Sequence, residues 1–234
     1  MKHSRARSGF VVAIDGPAGS GKSTTARLCA GRLGFHYLDT GAMYRAVTLK
    51  ALETGANPCR PRQLARLLSR IRVEPDWRGS RLRVELDGQD VTERIREPRV
   101  SAFVSEVSAI SAVRRKLVQE QRRIARGRKL VCEGRDIGSV VFPDARLKVF
   151  IVCDAAERAR RRQVELAEQG TAVDREAVLA NLTKRDRIDS GRRVSPLKRV
   201  SDAVLVDTTH LTVDEQVAVV CALARERLRA GTGK

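Results

Sequence analysis

The sequence predicts an α/β fold, with a five-stranded parallel sheet that carries helices on both faces. Two observations predict it: five short apolar segments alternate with segments of helical periodicity, and the first strand runs straight into a glycine-rich turn. The chain has 234 residues, 42% hydrophobic and 32% charged, which suits one globular domain with an insertion. In such sheets, ligands bind beyond the carboxyl ends of the strands, so the residues that follow each strand are the candidates for chemistry.

The elements alternate regularly along the chain. The predicted strands of the sheet are Phe10–Ile14, His36–Leu38, Lys129–Cys132, Leu147–Cys153 and Ala203–Val206. The predicted helices are residues 22–33, 42–53, 63–70, one long helix from Pro98 to Ile124, an arginine-rich helix capped by Asp154 and Glu157, a helix opened by Asp174, and a C-terminal helix from a Thr212–Glu215 capping box to Arg229. Gly34, Gly55 and Gly170 are the expected helix stops.

The stretch from Ile71 to Leu86 interrupts this alternation. Charged and apolar residues alternate in residues 72–74 and 81–86, which is typical of half-exposed antiparallel strands. Asp87-Gly88 is a hairpin-turn signal. We therefore expect a small antiparallel β insertion within residues 62–97.

Composition excludes several classes of protein. No window approaches the roughly 18 consecutive apolar residues of a membrane span, and the apolar run after the basic N-terminus is too short for a signal peptide. We expect a cytoplasmic protein with no membrane contact. The five cysteines (Cys29, Cys59, Cys132, Cys153 and Cys221) are odd in number and scattered, which favours reduced structural thiols over a zinc site or a disulfide framework.

The formal net charge of +18 leaves three explanations open. Of the 46 basic residues, 37 are arginine, the side chain suited to phosphate and carboxylate groups. The charge fits a nucleic-acid binder, an enzyme for small phosphorylated substrates, or a genome biased towards arginine codons. Aromatic residues make up only 3% of the chain, which weakens the case for binding single-stranded nucleic acid.

The segment after the first strand is a complete phosphate-binding motif, Gly16-Pro17-Ala18-Gly19-Ser20-Gly21-Lys22-Ser23. Its glycines let backbone N–H groups approach phosphate oxygens, and the helix that follows adds its positive end. Lys22 is expected to reach the β- and γ-phosphates, and the hydroxyl of Ser23 to bind Mg²⁺. The motif predicts a site for a nucleoside triphosphate, for which we take ATP.

Three further polar clusters lie near the ends of predicted elements: residues 38–45, 132–138 and 185–192. Taken one at a time, they fit a helix N-cap, a surface Arg-Asp pair and a solvated helix end. The two glycines beside Arg135-Asp136, at the end of a buried strand, instead favour a substrate clamp.

Together with the phosphate-binding motif, these clusters resemble the bacterial cytidylate (CMP) kinases, one of the nucleoside monophosphate kinase families. The resemblance runs from about Val11 to the C-terminal helix. It is carried by IDGPAGSGKST at 14–24, LDTGAMYR at 38–45, EGRDIGSVVFPDA at 133–145 and RDRIDSGR at 185–192. It implies a single P-loop nucleoside monophosphate kinase domain over residues 1–234, with a monophosphate-binding β insertion at residues 62–97 and an arginine-rich lid at residues 155–195.

The resemblance also implies roles for individual residues. The ATP-binding residues are Gly16, Pro17, Ala18, Gly19, Ser20, Gly21, Lys22, Ser23 and Thr24. The CMP-binding residues are Arg45, Arg135 and Arg192 at the α-phosphate, Ser105, Arg114 and Asp136 at the cytosine edge, Arg185 and Asp189 at the ribose, and Asp39 and Thr40 beside the nucleotide. The catalytic residues are Lys22, Arg135 and Arg192, with the lid arginines Arg158 and Arg162 and the further candidate Arg161.

The resemblance disagrees with two features read from the sequence. Ser105 and Arg114 are nine residues apart, about two and a half helical turns, and would lie on opposite sides of one continuous helix. The acid before Gly134 is Glu133, where the family usually has aspartate, so its role in the Mg²⁺ water shell is open.

The expected reaction is ATP + CMP giving ADP + CDP, with dCMP also accepted. Mg²⁺ would serve as cofactor, with no nucleic-acid partner and a monomeric protein. The alternatives are an NTPase stimulated by nucleic acid, or a kinase for another acceptor such as UMP.

Overall fold

The computed structural model describes residues 9–56, 60–77, 82–168, 170 and 172–232. Its strands and helices are β1 (Phe10–Asp15), α1 (Lys22–Leu33), β2 (His36–Asp39), α2 (Thr40–Glu53), α3 (Pro61–Arg70), β3 (Val73–Asp76), β4 (Arg83–Leu86), β5 (Gln89–Asp90), α4 (Pro98–Ala109), α5 (Ser111–Ala125), β6 (Lys129–Gly134), β7 (Leu147–Val152), α6 (Ala155–Glu168), α7 (Arg175–Gly191), β8 (Val204–Asp207) and α8 (Val213–Thr232). Two compact units can be distinguished: the chain up to Tyr37 together with the chain from Ala125 onward, and Leu38–Ile124.

The larger sheet confirms the predicted five-stranded parallel architecture. Its strand order is β2-β6-β1-β7-β8, and β1 pairs in parallel with both β6 and β7. The boundaries move by one or two residues: β6 continues through Glu133 and Gly134, which the sequence analysis placed after the strand. Because β1 is central, Val12, Ala13 and Ile14 are all completely buried, as expected for a strand that is covered on both faces.

One hydrophobic core joins this sheet to α1 and α8. Val12 and Ile14 of β1 belong to the same buried cluster as Ala26 of α1 and Val217 and Val220 of α8. The small residues of α1 allow its backbone to approach the strands closely. This packing holds the first turn of α1 directly beyond the end of β1.

Local capping signals place the helix boundaries as predicted. Asp39 accepts a hydrogen bond from the backbone N–H of Ala42, and Asp174 accepts from those of Glu176 and Ala177. Thr212 and Glu215 form a capping box, in which Glu215 accepts from the backbone N–H of Thr212 at 2.8 Å.

The second unit contains the predicted antiparallel insertion, built from β3, β4 and β5. Asp87 and Gly88 form the hairpin between β4 and β5 and both have positive φ, 53° and 83°, as a primed turn requires. Lys50 of α2 forms an ion pair with Asp87 at 2.7 Å. Arg81, predicted as the start of a strand, lies outside the described residues.

The prediction of one helix from Pro98 to Ile124 was wrong. Ile110 adopts an extended conformation, φ −74° and ψ 121°, and separates α4 from α5. Ser108 folds its hydroxyl back onto the carbonyl of Ser105 at 2.9 Å, a local hydrogen bond that competes with helix continuation. Arg114 then donates to the carbonyl of Ser108 at 3.2 Å, which gives a terminal carbonyl of α4 a partner.

The cysteines of the described residues are all free, and Cys59 lies outside them. The Cys221 thiol donates to Cys29 across α8 and α1, with 3.3 Å between the sulfur atoms. Burial, reinforced by the Cys221 thiol, raises the pKa of Cys29. Within the same part of the chain, no helix has the length and apolar character needed to cross a membrane.

Candidate functional site

The phosphate-binding loop, Gly16–Ser23, connects β1 to α1 and is shaped by close contacts. A Cβ on Gly16 would lie 2.3 Å from the carbonyl oxygen of Ile151, so only glycine fits there. Gly21 has φ 84°, and a Cβ on it would lie 2.8 Å from the side-chain oxygen of Gln216. The loop therefore follows a path that any other side chain at these two positions would disturb.

Lys22 is buried in this loop, and burial disfavours its positively charged form. Its ammonium group donates to the carbonyl of Pro17 at 3.0 Å. Burial, followed by the charge of Arg135, lowers the pKa of Lys22 from 10.5 to about 7, while Glu133 acts in the opposite direction. A phosphate beside Lys22 would supply the negative charge that the ammonium group needs.

The same electrostatic neighbourhood includes two clusters predicted from the sequence. Besides Arg135 and Glu133, the charges of Arg185 and Asp189 act on Lys22. The loop lysine thus lies within electrostatic reach of both the 133–136 segment and the end of α7.

Four charged residues of these clusters come together in the structure. Arg135 donates to Asp189 at 2.8 Å. Arg192 lies 3.7 Å from a carboxylate oxygen of Asp136 and 3.7 Å from one of Asp189. Asp136 and Asp189 are nearly completely buried, with 3% and 4% exposure. Two guanidinium groups and two carboxylates therefore form one cluster. Asp189 orients Arg135 by a hydrogen bond, and both aspartates lie within ion-pair distance of Arg192.

The side chain of Glu133 contacts the neighbouring strand β2. It is the penultimate residue of β6, is buried, and accepts a hydrogen bond from the hydroxyl of Tyr37 on β2 at 2.9 Å. This contact fixes the direction of the carboxylate.

Ala18 is held by two residues of the predicted lid. Asp186 accepts a hydrogen bond from the backbone N–H of Ala18 at 3.2 Å, and Arg158 donates to the carbonyl of Ala18 at 3.0 Å. Arg158 and Asp186 also form an ion pair at 2.5 Å. The sequence analysis singled out Arg158 as a lid arginine but assigned no role to Asp186.

The loop after β8 supports the other end of the phosphate-binding loop. Thr208 is fully buried and donates to the carbonyl of Ser20 at 3.1 Å, and Arg161 donates to the carbonyl of Thr208 at 2.7 Å. Gln216 accepts from the hydroxyl of Thr25 at 3.2 Å. Thr208 and Gln216 were not predicted from the sequence, in which their position after a strand of the sheet was the only available signal.

The remaining lid arginines are held by carboxylates of their own helix. Arg162 pairs with Glu165 at 2.7 Å, and Arg161 pairs with Glu157 at 2.8 Å. Arg162 is therefore within reach of solvent and oriented along α6 in this structure.

The second unit carries the other predicted residues. Asp39 caps α2, as expected, and Thr40 is buried in its first turn. Arg45 donates to the hydroxyl of Ser101 at 2.8 Å and to the carbonyl of Ile95 at 3.4 Å. These contacts hold the guanidinium group of Arg45 against α4.

Ser105 and Arg114 lie on different helices, α4 and α5, because the chain breaks its helix at Ile110. Both are buried, at 6% and 2% exposure. The guanidinium group of Arg114 lies 5.2 Å from the centre of the Tyr44 ring, a cation–π distance. The disagreement between the predicted helix and the implied roles of these two residues is removed by this break.

Comparisons with known proteins agree on one family. The family model described as cytidylate kinase matches residues 12–226. A cytidylate kinase from Pelotomaculum thermopropionicum is 49% identical over 213 residues, covering 90% of this chain and 94% of that protein. One from Chlorobaculum tepidum is 51% identical over 223 residues, covering 93% of each chain.

A solved structure shows the same fold at low sequence identity. The crystal structure of an uncharacterized protein from Eubacterium ventriosum matches with a TM-score of 0.52 and 13% identity. The match covers 92% of this chain and 98% of that one.

Proposed function

The chain belongs to the cytidylate kinase family, and we propose that it binds ATP at the Gly16–Ser23 loop and CMP or dCMP at the arginine–aspartate cluster. It is an ATP-dependent phosphotransferase that acts on CMP. The residue roles below are our proposal.

One observation carries the assignment of the two nucleotides. The charges that act on Lys22 of the ATP loop include those of Arg135, Arg185 and Asp189, which belong to the proposed CMP site. A donor phosphate at Lys22 and an acceptor phosphate at Arg135 would therefore be neighbours. Phosphoryl transfer needs this proximity and in-line alignment more than it needs covalent chemistry from the protein.

We propose that arginines hold the CMP phosphate. Asp189 orients Arg135 through a hydrogen bond. Arg192 donates from Nε to the carbonyl of Ser195 at 2.6 Å and lies within ion-pair distance of Asp136, so both guanidinium groups are ordered before the ligand arrives. Arg45 of the second unit, held by Ser101, is the third proposed phosphate ligand. Because these side chains are already ordered, little rotamer entropy is lost when phosphate binds.

Cytosine recognition is assigned to Ser105, Arg114 and Asp136. A cytosine offers an amino donor and ring acceptors, which a carboxylate, a guanidinium group and a hydroxyl can complement. A uracil would present a carbonyl to Asp136 and leave two acceptors facing each other. Arg185 and Asp189 are the proposed ribose ligands, and Asp39 and Thr40 lie at the start of α2 beside the nucleotide.

In the proposed reaction, an oxygen of the CMP phosphate attacks the γ-phosphorus of ATP, the bond to the β–γ bridging oxygen breaks, and ADP leaves. The attacking phosphate is already a nucleophile, so no general base is needed. Lys22, Arg135 and Arg192 would stabilise the charge on the transferred group. Arg158 and Arg162 are the proposed lid contributors, Arg162 after exchanging Glu165 for phosphate, and closure would exclude water.

The side chains present fit a Mg²⁺ ion that is bound mainly through nucleotide phosphates. Ser23 lies in the first turn of α1 and is exposed, and its hydroxyl is the hard oxygen donor that Mg²⁺ prefers. Among the described residues, no three His, Cys, Asp or Glu side chains form a metal cluster, and a phosphate-bound ion needs none. When bound, Mg²⁺ would neutralise charge on the donor phosphates.

An acceptor panel tests this function. ADP release is followed with ATP and Mg²⁺ in the presence of CMP, dCMP, UMP, AMP or shikimate. We expect CMP and dCMP to give the highest kcat/KM, and a preference for UMP or AMP would refute the assignment. Addition of RNA or DNA without an acceptor tests the alternative of a nucleic-acid-stimulated NTPase, which the family does not favour. We expect no stimulation of ATP hydrolysis.

A further inference from the structure

A buried carboxylate directly before the ATP loop contacts the segment that follows two residues of the proposed CMP site. Asp15 is the last residue of β1, immediately before Gly16, and is only 6% exposed. Its two oxygens accept hydrogen bonds from the backbone N–H groups of Ile137 and Gly138 at 2.7 and 2.8 Å. Both donors belong to the segment that directly follows Arg135 and Asp136.

These two N–H groups belong to the first residues of a helical turn, and the turn itself contains no acceptor for them. Residues Ile137–Val141 form a single π-helical turn, in which Val141 donates to the carbonyl of Asp136 and Phe142 to that of Ile137. The first N–H groups of a helical turn have no partner within it, and here Asp15 supplies the acceptors from another strand. A carboxylate at this end also faces the positive side of the turn.

Close packing fixes the position of the turn relative to Asp15. A Cβ on Gly138 would lie 3.2 Å from the side chain of Lys148 and 3.5 Å from an oxygen of Asp15. A Cβ there would therefore crowd the Lys148 side chain by a few tenths of an ångström and reach ordinary van der Waals contact with Asp15. The turn is thus held from two sides, by hydrogen bonds and by van der Waals contact.

Burial at this position makes the ionised form of the Asp15 carboxylate energetically unfavourable. Burial raises the pKa of Asp15 from 3.8 to about 6, in spite of the two backbone hydrogen bonds that act in the opposite direction. A residue that costs the fold stability near neutral pH but organises a site is typical of a functional constraint.

We propose that Asp15 is a positioning residue, which holds the turn after Arg135 and Asp136 in register with the ATP loop and so sets the CMP phosphate and base contacts. This inference rests on the proposed assignment of Arg135 and Asp136 to CMP. In this role Asp15 touches neither nucleotide.

The test is Asp15→Asn, with Asp214→Asn as a matched control on an exposed carboxylate that pairs with Arg32. The amide replaces one acceptor by a donor that faces a backbone N–H, so the turn must shift. We expect the KM for CMP to rise about 10- to 100-fold, corresponding to one charge-assisted hydrogen bond. The KM for ATP should change much less, and the midpoint of urea unfolding at pH 7.5 should stay equal or rise. The control should match the wild type in all three.

Gly138→Ala keeps Asp15 and crowds the packing of the same turn against Lys148. We expect it to raise the KM for CMP several-fold without lowering the unfolding midpoint. The proposal is overturned if both variants keep the wild-type KM for CMP, or if any loss of CMP affinity in them comes with an equal loss for ATP and a lower unfolding midpoint. A wild-type protein that does not phosphorylate CMP would instead overturn the proposed function, because that result does not depend on either variant.

Discussion

Asp186 and Arg158 lie on two different helices and both form hydrogen bonds with the backbone of Ala18 in the ATP loop. The carboxylate of Asp186 on α7 binds the backbone N–H of Ala18, and the guanidinium group of Arg158 on α6 binds its carbonyl. Since the two side chains also pair with each other, α6, α7 and the loop form one hydrogen-bonded ring. A movement of either helix would therefore be transmitted to the backbone that receives ATP.

Asp186→Asn is expected to weaken ATP binding. The amide cannot form the ion pair with Arg158, and loss of a hydrogen bond to a charged group corresponds to about 10- to 100-fold. We predict a rise of this size in the KM for ATP, with a smaller change for CMP. Steady-state kinetics with each substrate varied in turn measure it. Glu168→Gln, at an exposed position of α6, is the control, and equal effects from both variants would contradict the role of the ring.

Lys22→Met is expected to abolish useful turnover while making the nucleotide-free protein more stable. Without the ammonium group, kcat should fall at least about 100- to 1,000-fold. The lowered pKa of Lys22 means that the fold disfavours the protonated side chain. This cost grows as the pH falls from 10.5, the unfolded value, to about 7, the folded value, and is constant below it.

Urea unfolding at pH 6.5 and at pH 9.5 measures this effect. The Lys22→Met variant should exceed the wild type in free energy of unfolding at pH 6.5, and the difference should shrink at pH 9.5. Lys129→Met, at an exposed position, serves as the control and should alter neither turnover nor this pH dependence. A Lys22→Met protein that is less stable than the wild type at pH 6.5 would disprove the reasoning.

Asp136→Asn is expected to relax the choice between cytosine and uracil. The amide can donate to the uracil carbonyl that the carboxylate would repel, so the ratio of kcat/KM for CMP to that for UMP should fall about 10- to 100-fold. Competition between the two acceptors, followed by product separation, gives this ratio directly. Asp214→Asn, which removes an exposed partner of Arg32, is the control. An unchanged ratio would show that the base is read elsewhere.

Glu157→Gln is expected to reduce the loss of stability in acid. Hydrogen bonds from Arg160 and then Arg161 lower the pKa of Glu157 from 4.5 to about 2. A depressed pKa stabilises the fold above the unfolded value, and this contribution is lost as the pH falls from 4.5 to about 2. Between pH 5 and 2, the variant should therefore lose less free energy of unfolding than the wild type.

Because Glu157 is near the surface, the effect should be small and should decrease with added salt. Thermal unfolding at several pH values, with and without 0.5 M salt (about a 4 Å screening length), provides the measurement. Glu168→Gln on the same helix is the control. If both variants follow the wild-type curve, the arginine pairs of Glu157 do not contribute to stability.

The strands and helix ends could be predicted because their signals are local. The Thr212–Glu215 capping box, the Asp87-Gly88 hairpin and the loop after β1 each depend on residues that are close in sequence. The five-stranded sheet follows from these signals because alternating strands and helices have few arrangements that bury both faces.

The helix break at Ile110 could not be predicted in the same way. Ile110 continues the apolar stripe of a helix, and nothing in its neighbours forbids a helical conformation. What stabilises the break is the contact of Arg114 with the carbonyl of Ser108, which exists only once the chain has turned. Periodicity alone does not report such a contact.

The supports of the ATP loop were missed because they come from distant parts of the chain. Asp186 is 168 residues from Ala18, and Thr208 is 188 residues from Ser20. A lone Asp or Thr carries no pattern that links it to a glycine-rich motif. The residue roles taken from the family remain predictions that the acceptor panel and the variants above will test.

The buried thiols of Cys29 and Cys221 allow local opening of the native state to be measured by their rate of alkylation. Because α1 and α8 shield both thiols from water, an alkylating reagent at neutral pH can modify them only when these helices separate. The rate of that modification, compared with the rate in urea, would give the free energy of opening at the helix that anchors the ATP loop, without labels or isotopes.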